Sequence, residues 1–286
     1  MRLEGASESV HASVPEAYVD AVVAITDLGS PTVMMFLLAT VYWLFDRERT
    51  VLVIGYAFVG VVLLITIKAV LGMPRPPESA FLIELDGDEY GFPSGHTFAA
   101  VIVYGGLLVV FEKTRSLLAV SAVTLLVTLI GLSRVVLGLH YLGDILAGAA
   151  LGILVLVCLE YLTQSDPRRA FALATVLAFP ALIATGVDEY ALLGLGGALG
   201  GVIASGAVST LPPLRSKLEG AVVFIAGCTF VLVLEGATGR VLAIADSSGG
   251  MLGVAILVGA VGLFAVQVAG ILLAPALARW VPATSL

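Results

Sequence analysis

Three short polar segments, KAVLGMPRP at residues 68–76, PSGH at 93–96 and SRVVLGLHYLGD at 133–144, interrupt a region that is otherwise very apolar. They place lysine, arginine and aspartate side chains at the edges of long apolar runs. A charged side chain inside a bilayer span costs roughly 2.5–3.5 kcal/mol on insertion scales, so each of these residues needs a partner or a function. We therefore interpret residues 68–144 as the functional part of the chain.

The composition is that of an integral membrane protein. Of the 286 residues, 59% are hydrophobic and only 12% are charged. Several apolar runs reach the length of about 20 residues that a helix needs to cross a bilayer. The predicted fold is an all-α membrane protein, a helical bundle of about nine transmembrane helices preceded by an amphipathic helix.

The predicted spans are bounded by charged residues or by Gly and Pro. They lie at roughly 30–45, 50–72, 96–111, 117–137, 141–162, 170–187, 190–210, 220–235 and 250–274. Before them, residues 14–28 carry apolar side chains at helical spacing together with three acidic ones, which predicts an amphipathic helix on the membrane surface. Residues 1–12 are polar and carry Glu4 and Glu8, so we do not expect a cleaved signal peptide.

The basic residues predict the orientation, because cytoplasmic loops are enriched in Lys and Arg. If the three polar segments face outward, nine of the 14 Lys and Arg residues fall on the inner side. These are Arg47, Arg49, Lys113, Arg115, Arg168, Arg169, Arg215, Lys217 and Arg279. We expect a multi-pass protein of the cell membrane with an extracytoplasmic site and a cytoplasmic C-terminus. The loop 73–91, with acidic residues Glu78, Glu84, Asp86, Asp88 and Glu89, would then lie outside.

The chain divides by composition into a core at 1–164 and a four-helix membrane extension at 170–286. The extension contains no His and no comparable polar cluster. Its glycine-rich run GLGGALGG at 194–201 favours close helix packing, and a dimerisation or lipid-gathering role is the alternative. Cys158 and Cys228 lie inside apolar runs, where cysteine behaves as a small hydrophobe, so we predict neither a disulfide nor a metal site.

The polar segments supply the groups that a phosphoryl group needs. Lys68, Arg75 and Arg134 are positive, and arginine offers a planar fork that matches phosphate oxygens. Backbone N–H groups at 94–96, where a span begins, can add neutral donors. If residues 140–144 are helical, the Asp144 carboxylate can hold one nitrogen of His140 and leave the other aimed outward, an arrangement that orients a nucleophile or base. Two of the three histidines, His96 and His140, lie in these segments.

The spacing of these residues resembles a known family signature. Lys68 with Arg75-Pro76, then Pro93-Ser94-Gly95-His96, then Ser133-Arg134 with His140 and Asp144, are similar to the three-part motif of the type 2 phosphatidic acid phosphatase superfamily, the lipid phosphate phosphatases. The resemblance covers residues 14–163, in the membrane branch of the family, and does not include the extension.

The resemblance implies a role for each of these residues. His140 would be the nucleophile that forms a phosphohistidine, Asp144 would orient it, and His96 would protonate the leaving oxygen. The phosphate would be held by Lys68, Arg75, Ser94, Gly95 and Arg134. The family scheme needs no metal or other cofactor, and a single carboxylate among the motif residues offers too few oxygen ligands for Mg²⁺.

We therefore expect an enzyme that hydrolyses a lipid phosphate or lipid diphosphate at the extracytoplasmic face. A polyprenyl diphosphate is the favoured substrate and phosphatidic acid or a related lipid the second choice. The expected partners are this substrate and membrane lipids, without nucleic acid, and a homodimer through the extension is compatible with its small residues. The alternative is an anion or lipid transporter or a scaffold that uses the same cluster for binding only, although the polar residues occupy one half of the chain and not both.

Overall fold

The computed structural model describes residues 2–84, 90–186, 188–247 and 250–280, and the regular structure in them is helical. The helices are α1 Glu4–Ala12, α2 Val19–Asp27, α3 Pro31–Leu44, α4 Arg47–Leu71, α5 Gly95–Ala100, α6 Gly106–Val110, α7 Leu117–Val136, α8 Leu142–Thr163, α9 Pro167–Thr185, α10 Glu189–Ser205, α11 Lys217–Ser247 and α12 Gly250–Leu273. A π-helical turn, Val101–Gly105, joins α5 to α6. The all-helical prediction is confirmed.

The nine predicted spans each coincide with a helix, but nine membrane crossings are not confirmed. In the described part of the chain, six helices are long and apolar enough to cross a membrane, or up to seven if the bent pair α2 and α3 is one span. The continuous helix Gly95–Val110 and α10 fall short of this length. A predicted apolar run therefore identified a helix in each case without establishing that it crosses.

The predicted amphipathic helix at 14–28 is a short 3₁₀ turn, Glu16–Tyr18, followed by α2. Helix α2 packs against α7 and makes an angle of 49° with α3, the geometry of a broken span or a re-entrant loop. Thr26 on α2 is buried. The helix is thus present, but one of its sides is covered by protein.

The chain divides into two compact units. The first comprises Met1–Phe36 and Leu63–Gln164, and the second Leu37–Val62 and Ser165–Leu286. The predicted domains, 1–164 and 170–286, differ from these units in the placement of residues 37–62. As functional domains, they remain a prediction.

Residues 37–62 belong to the second unit because their aromatic side chains anchor its core. The Tyr42 hydroxyl donates to the Leu272 carbonyl at 2.6 Å, and Trp43 Nε1 donates to the Ile271 carbonyl at 2.9 Å. The Trp43 ring also meets Phe224 edge to face, with centroids 6.1 Å apart. These polar atoms have partners although the rings are buried, which is the usual condition for burying Tyr and Trp.

The glycine-rich run at 194–201 packs helices inside the second unit, as predicted from its composition. A Cβ on Gly196 would lie 2.4 Å from the Val261 carbonyl oxygen, and a Cβ on Gly200 would overlap the Ala265 carbonyl. Helices α10 and α12 therefore approach to backbone contact, which only residues without a Cβ allow. These glycines are buried within the unit, and a homodimer through the extension remains a prediction.

The first unit packs α5 against α8 and α7, with α1 and α2 along α7. Phe98, Ile102 and Ile130 are almost fully buried in it. Gly148 and Gly152 on α8 bring that helix close to α5, since a Cβ on Gly148 would lie 2.7 Å from the Ser94 carbonyl oxygen. This close approach brings the 93–96 segment to the beginning of α8.

Candidate functional site

Four helix ends of the first unit bring the predicted site residues together. Lys68 lies in the last turn of α4, Gly95 begins α5, Arg134 lies in the last turn of α7, and Asp144 lies in the first turn of α8. Since successive helices run in alternating directions, these four ends meet on one face of the unit. The site is deeply buried, with Lys68, Arg134, His140 and Asp144 each no more than 6% exposed.

His140 is held by both ring nitrogens. Its Nδ1 lies 2.7 Å from the Gly91 carbonyl oxygen, and its Nε2 lies 2.9 Å from Nη1 of Arg75. An arginine N–H can only donate, so Nε2 accepts with its lone pair, and the protonated Nδ1 donates to the Gly91 carbonyl oxygen. This tautomer leaves Nε2 as the nucleophilic nitrogen.

The imidazole of His140 is neutral. Burial lowers its pKa to about 3, although the nearby Asp144 carboxylate acts in the opposite direction. The positive charge of Arg75 also lowers this pKa. A neutral ring is the form that can attack an electrophile.

Asp144 lies near His140 for a different reason from the one predicted. His140 precedes α8, which begins at Leu142, so the two residues do not share a helix turn. Asp144 Oδ2 is 3.5 Å from His140 Nδ1 and accepts from the Tyr141 backbone N–H at 2.9 Å. The carboxylate therefore caps the first turn of α8 while standing beside the histidine. The nearer partner of Nδ1 is the Gly91 carbonyl.

The carboxylate of Asp144 has a further partner that the motifs do not contain. Arg2 donates through Nε to Oδ1 at 2.7 Å and through Nη2 to Oδ2 at 2.6 Å. The pair is bidentate, and Asp144 is fully buried within it. Arg2 was not among the predicted site residues, because a single basic residue in a polar stretch gives no spacing signal.

Lys68 and the 93–96 segment meet at the start of α5. The Lys68 ammonium donates to the Tyr90 carbonyl at 3.0 Å and lies 3.9 Å from where a Cβ on Gly95 would be. The backbone N–H of Ser94, which we expected to face an anion, donates to the Asp144 carbonyl oxygen at 3.0 Å. The Ser94 hydroxyl lies 3.1 Å from that of Thr97. The Ser94 amide thus joins α5 to α8. The roles of Ser94 and Gly95 in holding phosphate remain predictions.

Arg134 and His96 complete the cluster. Arg134 Nη1 donates to the Thr26 hydroxyl at 3.3 Å. The His96 side chain is only partly buried and is close enough to Arg134, His140 and Lys68 to interact electrostatically with each of them. His96 and Arg75 are partly exposed, whereas Lys68, Arg134 and His140 are buried.

The segment after α4 closes over the site. Gly91 N donates to the Met73 carbonyl at 2.8 Å, and Pro74 pairs with Tyr90 in an isolated antiparallel bridge. Leu82 N donates to Leu137 O. Gly138, at φ +75°, leaves room for the backbone of Ala80, which a Cβ would strike. The acidic residues Asp86, Asp88 and Glu89 lie outside the described residues.

The acidic side chain of the site does not offer a free metal ligand, because both Asp144 oxygens are engaged by Arg2. Among the residues that the structure describes, no three His, Cys, Asp or Glu side chains come together as metal ligands. That the activity needs no cofactor stays a prediction.

These features define a helical protein with several helices able to cross a membrane and a buried site that joins two histidines to three cationic side chains. A sequence profile of the PAP2 superfamily matches residues 49–168. The chain belongs to the PAP2 superfamily. The resemblance of its three motifs is thereby confirmed.

Two curated proteins show the relationship. The chain is 34% identical over 124 residues to the lipid phosphate phosphatase delta of Arabidopsis thaliana. The aligned region covers 38% of this chain and 29% of that protein. It is 32% identical over 165 residues to the bacitracin transport permease protein BcrC of Bacillus licheniformis, covering 50% of this chain and 78% of that protein. No solved structure matches the chain. The similarity therefore spans less than a third of the plant relative's length.

Proposed function

We propose that the first unit is a lipid phosphate phosphatase that works through a phosphohistidine. The observation that carries this proposal is the pairing of a neutral His140, whose Nε2 holds a lone pair, with the guanidinium of Arg75 at 2.9 Å. The proposed nucleophile, His140 Nε2, and a proposed phosphate-binding cation, Arg75, thus lie side by side. Such a pair brings an attacking atom and a charge stabiliser to one phosphorus.

The proposed reaction has two steps. His140 Nε2 attacks phosphorus, the bond from phosphorus to the lipid oxygen breaks, and His96 gives its proton to that oxygen. His96 acts here as the imidazolium, the form that the negative charge of the bound phosphate stabilises. Water then attacks the phosphohistidine, gives a proton to His96, and releases inorganic phosphate with His140 restored. His96 suits this exchange because it is partly exposed, so that a leaving group and a water can reach its ring.

The three cations of the cluster suit the charge of the transferred group. Lys68, Arg75 and Arg134 lie around His96 at distances that permit electrostatic interaction with it. In a site that is largely closed to water, such charges act more strongly on a phosphoryl group than they would at a surface. The burial of Lys68 and Arg134 is consistent with a role in binding, because buried cations need anionic or polar partners.

The finer features of the proposal rest on the sequence. A polyprenyl diphosphate is the first choice of substrate and a phosphatidic acid-type lipid the second, and the site would face the extracytoplasmic side of the cell membrane. The name of the bacterial relative suggests the alternative, transport, for which the cluster would bind an anion without breaking a bond. Release of phosphate discriminates the two.

The test is phosphate release by the detergent-purified full chain over a panel of a polyprenyl diphosphate, a polyprenyl monophosphate, phosphatidic acid and p-nitrophenyl phosphate. We expect turnover of at least one lipid, inhibition by vanadate, which adopts the five-coordinate geometry of phosphoryl transfer, and no loss with EDTA. An acid-labile phosphoenzyme should form in the wild type and be absent in His140→Ala. Binding of the lipids without phosphate release would favour transport and overturn the proposal.

A further inference from the structure

The side chain of Arg2 reaches the centre of the candidate site from the beginning of the chain. It bonds both oxygens of Asp144, and its Nη1 donates to the Pro74 carbonyl at 2.5 Å. Its side chain is only 15% exposed. One guanidinium therefore ties the first turn of α8 to the segment that follows α4, the two pieces of chain that flank His140.

Two glycines leave the space that Arg2 occupies. A Cβ on Gly91 would lie 2.7 Å from Arg2 Nη2, and a Cβ on Gly143 would lie 2.9 Å from both Cα and the carbonyl oxygen of Arg2. Gly143 N donates to that carbonyl oxygen at 3.0 Å, and the guanidinium stacks over the Tyr141 ring at 4.7 Å. Arg2 is thus contacted by the backbone of Gly143, the ring of Tyr141 and the carboxylate of Asp144, which indicates a specific site for this residue.

Helix α1 holds Arg2 in place. The Ser7 hydroxyl, on a buried residue, accepts from the Leu142 backbone N–H at 2.8 Å, and His11 Nδ1 lies 2.8 Å from the Val136 carbonyl oxygen. These contacts fasten α1 to the beginning of α8 and the end of α7. Since a long side chain loses conformational freedom when it is fixed, an anchored helix lowers the cost of ordering Arg2.

We propose that Arg2 is a positioning residue for the reaction, acting on His140 through Asp144. The inference rests on the proposed function. Asp144 is fully buried, and a buried carboxylate needs a partner for its charge. With Arg2 on both oxygens, Asp144 stays 3.5 Å from His140 Nδ1, and Nδ1 keeps its shorter bond to Gly91. Arg2 thereby keeps the ring oriented with Nε2 facing Arg75.

The geometry makes a specific kinetic prediction. Arg2 touches neither His140 nor the cationic cluster through any contact described above, so its loss should reduce kcat and leave KM nearly unchanged. We expect Arg2→Ala to lower kcat about ten- to hundredfold, by analogy with the outer groups that orient metal ligands, whose loss costs activity on that scale. Arg2→Lys should recover only part, because an ammonium is a point charge and cannot bond both oxygens in a fork.

A double mutant separates this role from general destabilisation. If Arg2 acts through Asp144, then Arg2→Ala should lower kcat little further in the Asp144→Asn background, so the two effects on kcat should not add. Guanidinium ion at millimolar concentration should raise the kcat of Arg2→Ala and not that of His140→Ala. Glu8→Ala, on the exposed side of α1, is the control and should behave as the wild type.

Each outcome has one meaning. Full kcat in Arg2→Ala, or additive losses of kcat in the double mutant, would overturn the positioning role. The proposed function would still stand if the wild type hydrolyses lipid phosphates. A loss of melting temperature in Arg2→Ala that Arg2→Lys and guanidinium leave unrepaired would assign Arg2 to folding and also overturn it. A wild type without phosphatase activity on the whole panel would remove the proposed function itself.

Discussion

Nη1 of Arg75 lies 2.9 Å from Nε2 of His140 and 3.1 Å from the Leu139 carbonyl oxygen. The guanidinium therefore donates a hydrogen bond to the lone pair of Nε2 that would attack phosphorus. An arriving phosphate offers Arg75 a charged acceptor, which makes a stronger hydrogen bond than a neutral imidazole does. Binding of substrate would in this way free the nucleophile at the moment its target arrives.

Arg75→Ala should lower kcat/KM about 10²–10³-fold, the usual cost of removing one donor that stabilises developing negative charge. Arg75→Lys should fall between this variant and the wild type, because it keeps the charge and loses the fork. Arg115→Ala, on an exposed residue between α6 and α7, is the matched control and should keep full activity. Unchanged kcat/KM in Arg75→Ala would remove Arg75 from the mechanism.

The two histidines should respond differently to the leaving group. Without His140 there is no covalent route, so His140→Ala should be inactive on every substrate. His96 would only protonate the departing oxygen, a contribution of about 10²–10⁴-fold, so His96→Ala should suffer near the full loss on a lipid monophosphate. On p-nitrophenyl phosphate, whose phenolate leaves unaided, it should recover much of that loss.

The measurement is kcat/KM for both variants on both substrates. An equal loss of kcat/KM on the two substrates in His96→Ala would show that proton donation to the leaving group is not the role of His96. Turnover of p-nitrophenyl phosphate by His140→Ala would show that another group, or water, attacks phosphorus. Either result would change the assigned roles without touching the fold.

The clustering of the motif residues could be predicted because each motif lies where a helix begins or ends. Lys68, Gly95 and Arg134 occupy the helix ends that the spans placed there, and alternating helix directions bring such ends together. The approach of Arg2 to Asp144 could not be predicted in this way. It joins residues 142 positions apart through one side chain, and neither periodicity nor spacing reports such a contact.

Two predicted helix boundaries differ from the structure, at His140 and at residue 235. We placed His140 on a helix, whereas Asp144 at the third position of α8 bonds back to the Tyr141 N–H and begins the helix after His140. An acidic residue three positions after a helix start is a recognised capping signal, and it was present in the sequence. The span predicted to end at 235 continues as α11 to Ser247, because Glu235 and Arg240 are exposed and do not interrupt the helix.

The pH dependence of the reaction should not contain the titration of His140. Burial lowers the pKa of His140 to about 3, so the ring stays neutral and nucleophilic as the pH falls from 8 to 5. An unperturbed histidine would instead gain a proton near pH 6.5 and lose its nucleophilicity below that value. In His96→Asn, which leaves His140 as the site's imidazole, kcat/KM for p-nitrophenyl phosphate should be flat from pH 5 to 8.

That profile must be corrected for the ionisation of p-nitrophenyl phosphate itself. A decline toward low pH with an apparent pKa near 6.5, remaining after the correction, would mean that His140 titrates normally and is not shielded as the structure indicates. The wild type is measured in parallel, and any pH dependence that appears only in its profile is assigned to His96.

The contact of α10 with α12 should be intolerant of a methyl group. A Cβ on Gly200 would overlap the backbone of Ala265, which cannot move as a side-chain tip can. We expect Gly200→Ala to lower stability by about 1–3 kcal/mol, the range for overpacking a close contact, with a reduced melting temperature in detergent. Gly236→Ala in α11, where nothing lies within 4 Å of the added Cβ, is the control. Equal melting temperatures of the two variants would contradict the close approach.

The orientation of the site can be tested with two residues of the first unit. Glu78 lies in the segment that covers the site, and Lys113 lies in the connection between α6 and α7, where the helix that begins at Gly95 has ended. Both are exposed. In a chain whose free cysteines Cys158 and Cys228 are replaced by serine, Glu78→Cys should react with a membrane-impermeant maleimide on intact cells, and Lys113→Cys should react only after permeabilisation.

This result would follow from the distribution of basic residues, nine of which are placed on the inner side when the site faces outward. Phosphatase activity of the cysteine-free background and of both variants is the control that the fold is retained. Labelling of Lys113→Cys on intact cells, with Glu78→Cys protected, would turn the protein around. The substrate would then be a lipid phosphate of the cytoplasmic leaflet, and the preference for an extracytoplasmic polyprenyl diphosphate would be withdrawn while the chemistry at His140 stood.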